Sequence, residues 1–411
     1  MARTPLWPWI VLLVAFLMPA GCAKTVPPAT HGPVVHVRLL GAQDQVLLTA
    51  AETPTTIRAG SDASARVVPF PTGQPVQVVL TPDGNWRVGN MPAGSGELIV
   101  KPARDGSVLV NGKPYRGQFR LVPVGDNKFD LVNELDVDSY LKGVIACEMP
   151  ARWEEEAYKA QAIAARTYAL YEAGTSSSKH WDLLPDQRSQ VYNGMSAETS
   201  KSIRAVDETA GIVVAAGPPG QEKIFKAYFS ACCGGISQSA YDAFGDPYMP
   251  ELGAQNVGAL CNASNKFNWG PIILTKQEIT RRVKIWGERK GHPVKNATAI
   301  DRIDPKFVNQ FGRPVKYLLT EKAGAMYLLT SEETRQACNA GAADGAPILP
   351  SGFFKTVVTA NQIQFVEGHG FGHGVGLCQW CSEARAERGM RAEDIVLAAY
   401  PHAKLVYAYE P

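Results

Sequence analysis

The stretch ELDVDSYLKGVIACEMPARWEEEAYKAQAIAARTYALYEA, residues 134–173, decides how the rest of the chain is read. It consists of a short polar turn, an apolar run from Leu141 to Cys147, a stop at Met149-Pro150 and a long helix. Glu154, Glu155 and Glu156 occupy the helix's first turn, where the dipole favours negative charge. Ala157, Ala160, Ala164, Tyr168 and Tyr171 recur along one side at helical spacing, with Ile163 and Leu170 on the other. Such a helix is apolar nearly all round and is expected to be buried. Arg166 lies on the Ile163/Leu170 side, and a buried guanidinium requires an anionic partner. The nearest candidate upstream is Glu148, a carboxyl set among Ile145, Cys147 and Met149. Burial would raise its pKa and make it a proton donor near neutral pH, and a nearby Arg166 would oppose that shift. A purely structural Glu148–Arg166 ion pair is the alternative.

The segments Glu148-Met149-Pro150 and Glu156-Ala157-Tyr158-Lys159-Ala160-Gln161-Ala162-Ile163-Ala164-Ala165-Arg166-Thr167-Tyr168 resemble the signature of the stage II sporulation protein D family, which includes the amidase enhancers. Three further segments follow in the family's order: Gln190-Val191-Tyr192-Asn193-Gly194, the run from Ala227 to Gly235, and the run from Gly370 to Trp380. The resemblance extends from about residue 35 to the C-terminus. It implies a peptidoglycan lytic transglycosylase that cuts the MurNAc–GlcNAc β-1,4 bond of peptide-free strands. Glu148 would be its acid and base, and Arg166 its positioning cation. The substrate-binding candidates are Gln190, Tyr192, Tyr228, Ser230, Gly372, His373 and Gln379. A non-catalytic, glycan-binding enhancer of a cell-wall amidase is the second reading. Phe229 stands where many relatives carry His, and Cys378 and Cys381 where Ser and Gly are common.

Outside this stretch, residues 1–22 read as an export signal, with Arg3, an apolar Trp9–Met18 segment and Ala20-Gly21-Cys22. Cys22 resembles a lipoprotein attachment site despite Pro19, so the membrane contact is an N-terminal lipid anchor or signal segment. Residues 23–33 form a Pro-, Thr- and Ala-rich linker to a protein exported to the cell envelope. Residues 34–127 alternate in short apolar runs such as Val76–Leu80 and Phe119–Val122, broken by turns at Pro82–Asn85 and Val110–Lys113. This β-rich region would pack on a mixed core, residues 128–411, with 266–360 as an inserted lobe. Within that core Ile212–Ala216 and Ile224–Ser230 read as paired strands, and Lys276–Arg289 and Ser331–Asn339 as helices. The fold class is therefore α+β. Lys and Arg number 41 against 39 Asp and Glu, and no basic run is interleaved with aromatics, which excludes a nucleic-acid partner.

Two further patterns carry chemistry. Glycine at every second position from Gly368 to Gly376 would, if extended, leave one strand face bare for close approach of a polymer, with His369 and His373 opposite. The chain has eight cysteines, and without a lipidated Cys22 an odd number remains. Cys233, Cys261, Cys378 and Cys381 could form a structural zinc site; a disulfide framework or inert packing are the other readings, and the reaction itself needs no cofactor.

Overall fold

The structure is a computed structural model that describes residues 32–60, 67–103, 106–176 and 179–410. The export signal, Cys22 and most of the linker lie outside the described residues. Helices and open sheets both contribute, giving an α+β fold.

The N-terminal part builds two six-stranded sheets. One runs, neighbour to neighbour, Val34–Gln43, Lys128–Asp136, Gln118–Gly125, Leu98–Pro102, Thr55–Ala59 and Val67–Phe70. The other runs Lys113–Arg116, Ser107–Val110, Gln45–Ala50, Val76–Leu80, Asn85–Val88 and Met91–Ser95. Period-two alternation explains both: Phe119 and Leu121 are buried while Arg120 and Val122 are partly exposed. Trp86 of the second sheet meets Phe129 of the first edge-on, with ring centroids 5.1 Å apart. The indole N–H of Trp86 donates to the Gly96 carbonyl at 2.7 Å, so its burial leaves no polar atom unsatisfied.

Lys128–Asp136 has strand neighbours on both sides and is buried almost throughout, unlike the alternating strands around it. It leads directly into helix α1, Val137–Glu148, whose N-cap Asp136 accepts from the Ser139 N–H at 2.8 Å. The apolar run Leu141–Cys147 is therefore helical, and the backbone turns extended at Met149 ahead of Pro150. Helix α2, Glu155–Thr175, follows and is buried from Ala157 to Leu170 with the exception of Lys159. Around it pack α1, α3 (Ser200–Asp207) and, from further along the chain, helices of the C-terminal region.

Helix α4, Ala240–Phe244, precedes a second hydrophobic core that runs from Trp269 to Phe365. That core contains α5 (Lys276–Lys290), α6 (Ser331–Asn339) and the sheet Ile300–Val308, Pro314–Glu321, Met326–Thr330. Helices α7 (Gln379–Ala386) and α8 (Ala392–Ala399) return the chain to α2. Among the described residues, no helix is long and apolar enough to cross a membrane.

Two expectations about strands change. Ile224–Ser230 is not one strand opposite Ile212–Ala216: only Lys223–Ile224 pairs there. Phe225 then buries against Tyr400, and Phe229–Ser230 pairs in parallel with Leu377–Cys378 instead. The glycine run is not an extended ribbon either, because Gly370, Gly372, Gly374 and Gly376 all have positive φ, between 67° and 91°. These residues coil the chain against the loop after Ser230 instead of exposing a bare strand face.

Gly376 shows why glycine is required. A Cβ at this position would overlap the Tyr228 carbonyl, which already accepts from the Leu377 N–H and the Tyr400 hydroxyl. Gly389 has a similar φ of +79° but open space around it. Thermal denaturation should therefore show Gly389→Ala losing roughly 1–2 kcal/mol, the left-handed penalty alone, and Gly376→Ala losing clearly more. Equal losses would mean that the contact with Tyr228 is not a tight one.

Candidate active site

Glu148 is the last residue of α1, and its position follows from the helix ending there. The helix presents the carboxyl, half-buried, to two donors from distant segments. The Val191 backbone N–H donates to Oε1 at 3.1 Å, and the Gln379 side-chain amide donates to Oε2 at 3.4 Å. Burial raises the Glu148 pKa above its ordinary value, while these two hydrogen bonds pull it down. Burial, rather than a second carboxylate, sets the direction. Val191 also lines an open depression of about 490 Å³ with Pro185, Asp186, Gln187 and Arg188; Glu148 itself is not among the lining residues.

Arg166 does not meet Glu148. Its guanidinium pairs with Asp138, Nε at 2.9 Å and an Nη at 2.8 Å from Oδ1, and donates to the carbonyls of Val206 and Ile212. Asp138 also accepts from the Tyr409 hydroxyl at 2.7 Å. Asp138 and Glu148 lie at opposite ends of α1, ten residues or about 15 Å apart at the rise of an α-helix. The expected Glu148–Arg166 contact is thus corrected: the partner of the buried cation is the acid at the start of α1, and Arg166 ties α1, α2 and the C-terminal segment together. Asp138 was visible within the decisive stretch, but nothing in its spacing favoured it over Glu148.

The segment Gln190–Gly194 reaches the acid through a residue not singled out from the sequence. Gln190 is buried, bonded to the Tyr140 hydroxyl and the Ala165 carbonyl, each at 3.2 Å. Tyr192 is buried too, with its hydroxyl donating to Asn133 at 3.1 Å. Both hold the loop to the core and are withdrawn as substrate contacts. Val191, between them, directs its N–H to Glu148. Alternation along the loop was the signal that could have found it.

Ser230 is likewise buried, its Oγ accepting from the Gly374 N–H at 3.2 Å, and serves to fasten the glycine run. Gly372 is anchored by its N–H to the Pro350 carbonyl. Tyr228 and His373 are partly exposed and form an aromatic wall with Phe244, which stacks on Tyr228 at 4.6 Å and meets His373 edge-on. The Tyr228 hydroxyl donates to Asp246 at 2.7 Å, and burial followed by that hydrogen bond raises its pKa. His373 is pushed down to about 4 by desolvation, and its Nδ1 accepts from the Val375 N–H, so the ring is neutral at physiological pH. Phe244 and Asp246 carried no sequence signal, lying outside every motif.

Cys233, Cys261, Cys378 and Cys381 come together in a buried cluster packed by Val257, Leu260, Phe267 and Trp380, with their four sulfur atoms within 4.8 Å of one another. None of the four is joined in a disulfide.

The family model described as Stage II sporulation protein matches residues 125–215, which include Glu148, Arg166 and Val191. An uncharacterized protein of Brachyspira hyodysenteriae is 33% identical over 293 residues, covering 71% of this chain and 72% of that one. The amidase enhancer of Bacillus subtilis is 27% identical over 358 residues, 77% of this chain and 48% of its own length. Stage II sporulation protein D of the same organism is 28% identical over 329 residues, covering 74% and 82%.

Proposed function

We propose that this chain, which belongs to the stage II sporulation protein D family, is a cell-wall lytic transglycosylase acting on glycan strands. The observation that carries the reading is a single half-buried carboxyl, Glu148, whose pKa is raised by burial and whose oxygens are held by Gln379 and by Val191, a residue that lines an open groove. In the protonated state Glu148 donates to the glycosidic oxygen as the C1–O bond breaks. The carboxylate so formed accepts the proton of the muramyl 6-hydroxyl as that oxygen attacks C1. The product is a 1,6-anhydro end, no water is consumed, and the acid is restored. One carboxyl does both jobs, whereas glycoside hydrolysis ordinarily uses two flanking carboxylates.

Val191 and Gln379 hold the carboxyl oxygens in both states, since the Gln379 amide can turn its oxygen toward an acid proton. Tyr228, Phe244 and His373 offer ring faces and a neutral imidazole to sugar rings and their N-acetyl groups. The relative named amidase enhancer supports a second reading, in which the same groove binds glycan without cutting it and assists a cell-wall amidase. Either function places the protein in the cell envelope, facing peptidoglycan.

The deciding experiment is to incubate the protein with peptide-free glycan strands and analyse the ends by mass spectrometry. Anhydromuramyl ends are expected. Reducing ends would replace transglycosylation by hydrolysis, and intact but bound strands would select the enhancer reading.

A further inference from the structure

The four clustered cysteines come from three separate segments. Cys233 lies in the loop after Phe229–Ser230, Cys261 in a turn ahead of the second core, and Cys378 and Cys381 at the start of α7. The Cys233 sulfur is 3.7 Å from that of Cys261 and 3.9 Å from that of Cys381. A zinc–sulfur bond of about 2.3 Å places the ligands of a tetrahedral site roughly 3.8 Å apart, whereas a disulfide requires about 2.05 Å. These two spacings match ligands around a common centre, all four sulfurs lie within 4.8 Å of one another, and none is in a disulfide.

The surroundings independently call for negative charge. Arg313 is buried, and its guanidinium donates to the carbonyls of Cys233 at 3.0 Å, Ile236 at 2.7 Å and His373 at 3.1 Å. Its Nε has no hydrogen-bond partner among the described residues, and no carboxylate there lies within salt-bridge distance; nearby Glu332 is taken up by Arg335. An uncompensated buried cation is costly. Zinc bound by four thiolates carries a net charge of about −2, which would supply the missing counter-charge. Cys378 is the N-cap of α7 and Cys381 its third residue, so the positive end of the helix dipole also favours thiolates there. The Cys233 N–H donates to the Cys378 sulfur at 3.3 Å, the kind of support a metal-bound thiolate receives.

We infer that Cys233, Cys261, Cys378 and Cys381 bind a single zinc ion, which clamps the loop after Ser230 to α7 and fixes Gln379 against Glu148. Gln379 sits between two of the ligands, so the metal is a positioning element and takes no part in bond cleavage. Zinc fits the all-sulfur donor set and would keep the thiols from oxidising after export. The inference stands whether the groove cuts glycan or only binds it.

The test uses the full chain purified without chelator, with metal measured by inductively coupled plasma mass spectrometry. One zinc per chain is expected, with cobalt substitution giving the intense thiolate-to-cobalt charge-transfer bands of a tetrahedral site. Cys381→Ser should lower zinc content by about tenfold or more, while Cys147→Ser and Cys338→Ser, outside the cluster, should retain it. A folded wild type without zinc, or a peptide map showing a disulfide between any two of the four, overturns the inference. Should Cys381→Ser fail to fold, the wild-type zinc content and the cobalt spectrum decide the question.

Discussion

Glu148→Gln is expected to lower the rate of anhydro-end formation by about 10²–10⁴-fold, the usual contribution of a positioned acid–base group, while strand binding and thermal stability stay near wild type. The substitution is close to isosteric. Its amide oxygen can still accept from the Val191 N–H, and it removes only the proton that the reaction moves. Wild-type activity should also carry the signature of the raised pKa. An acid must be protonated to act, so activity should be high at low pH and fall as pH rises through the Glu148 pKa. Burial shifts that fall above the ordinary carboxylate range. A rate–pH profile that declines within the ordinary range, or a Glu148→Gln variant with near wild-type cleavage, would remove Glu148 from the reaction.

Arg166→Ala should do the opposite: it should cost roughly 3–5 kcal/mol of stability and leave kcat nearly unchanged in whatever fraction remains folded. The Asp138 carboxylate, also bonded to Tyr409, would lose its buried counter-ion, and the Val206 and Ile212 carbonyls would lose a donor. A urea titration measures the loss, and assays well below the transition measure kcat. An Arg166→Ala protein that is stable yet inactive would restore the catalytic role that the sequence suggested.

The contrast between these two residues shows how far the sequence could be read. Periodicity alone placed the buried helix, because a chain apolar on nearly every side has nowhere else to go. Helix α6 also lies at Ser331–Asn339 as expected, and its start is fixed locally: Thr330 caps it through a reciprocal bond with Glu333. Alternation likewise marked the strands from Val76–Leu80 to Phe119–Val122.

The partners of polar side chains were not legible in the same way. Gln190, Tyr192 and Ser230 sit in motifs that invite a binding role, yet each spends its hydrogen bonds inside the core. Which face of a loop turns inward depends on what packs beneath it, and local spacing does not encode that.

Residue type and short-range period were therefore enough for the α+β character, the long buried helix, the isolated Glu148 and the set of cysteines. The assembled fold was needed to show that Arg166 belongs to Asp138, that Val191 and Gln379 hold Glu148, and that four cysteine sulfurs from three segments converge near Arg313. Those relations join residues up to 231 positions apart. They exist only once burial has brought distant segments to hydrogen-bonding distance, where each charge and donor must find its partner.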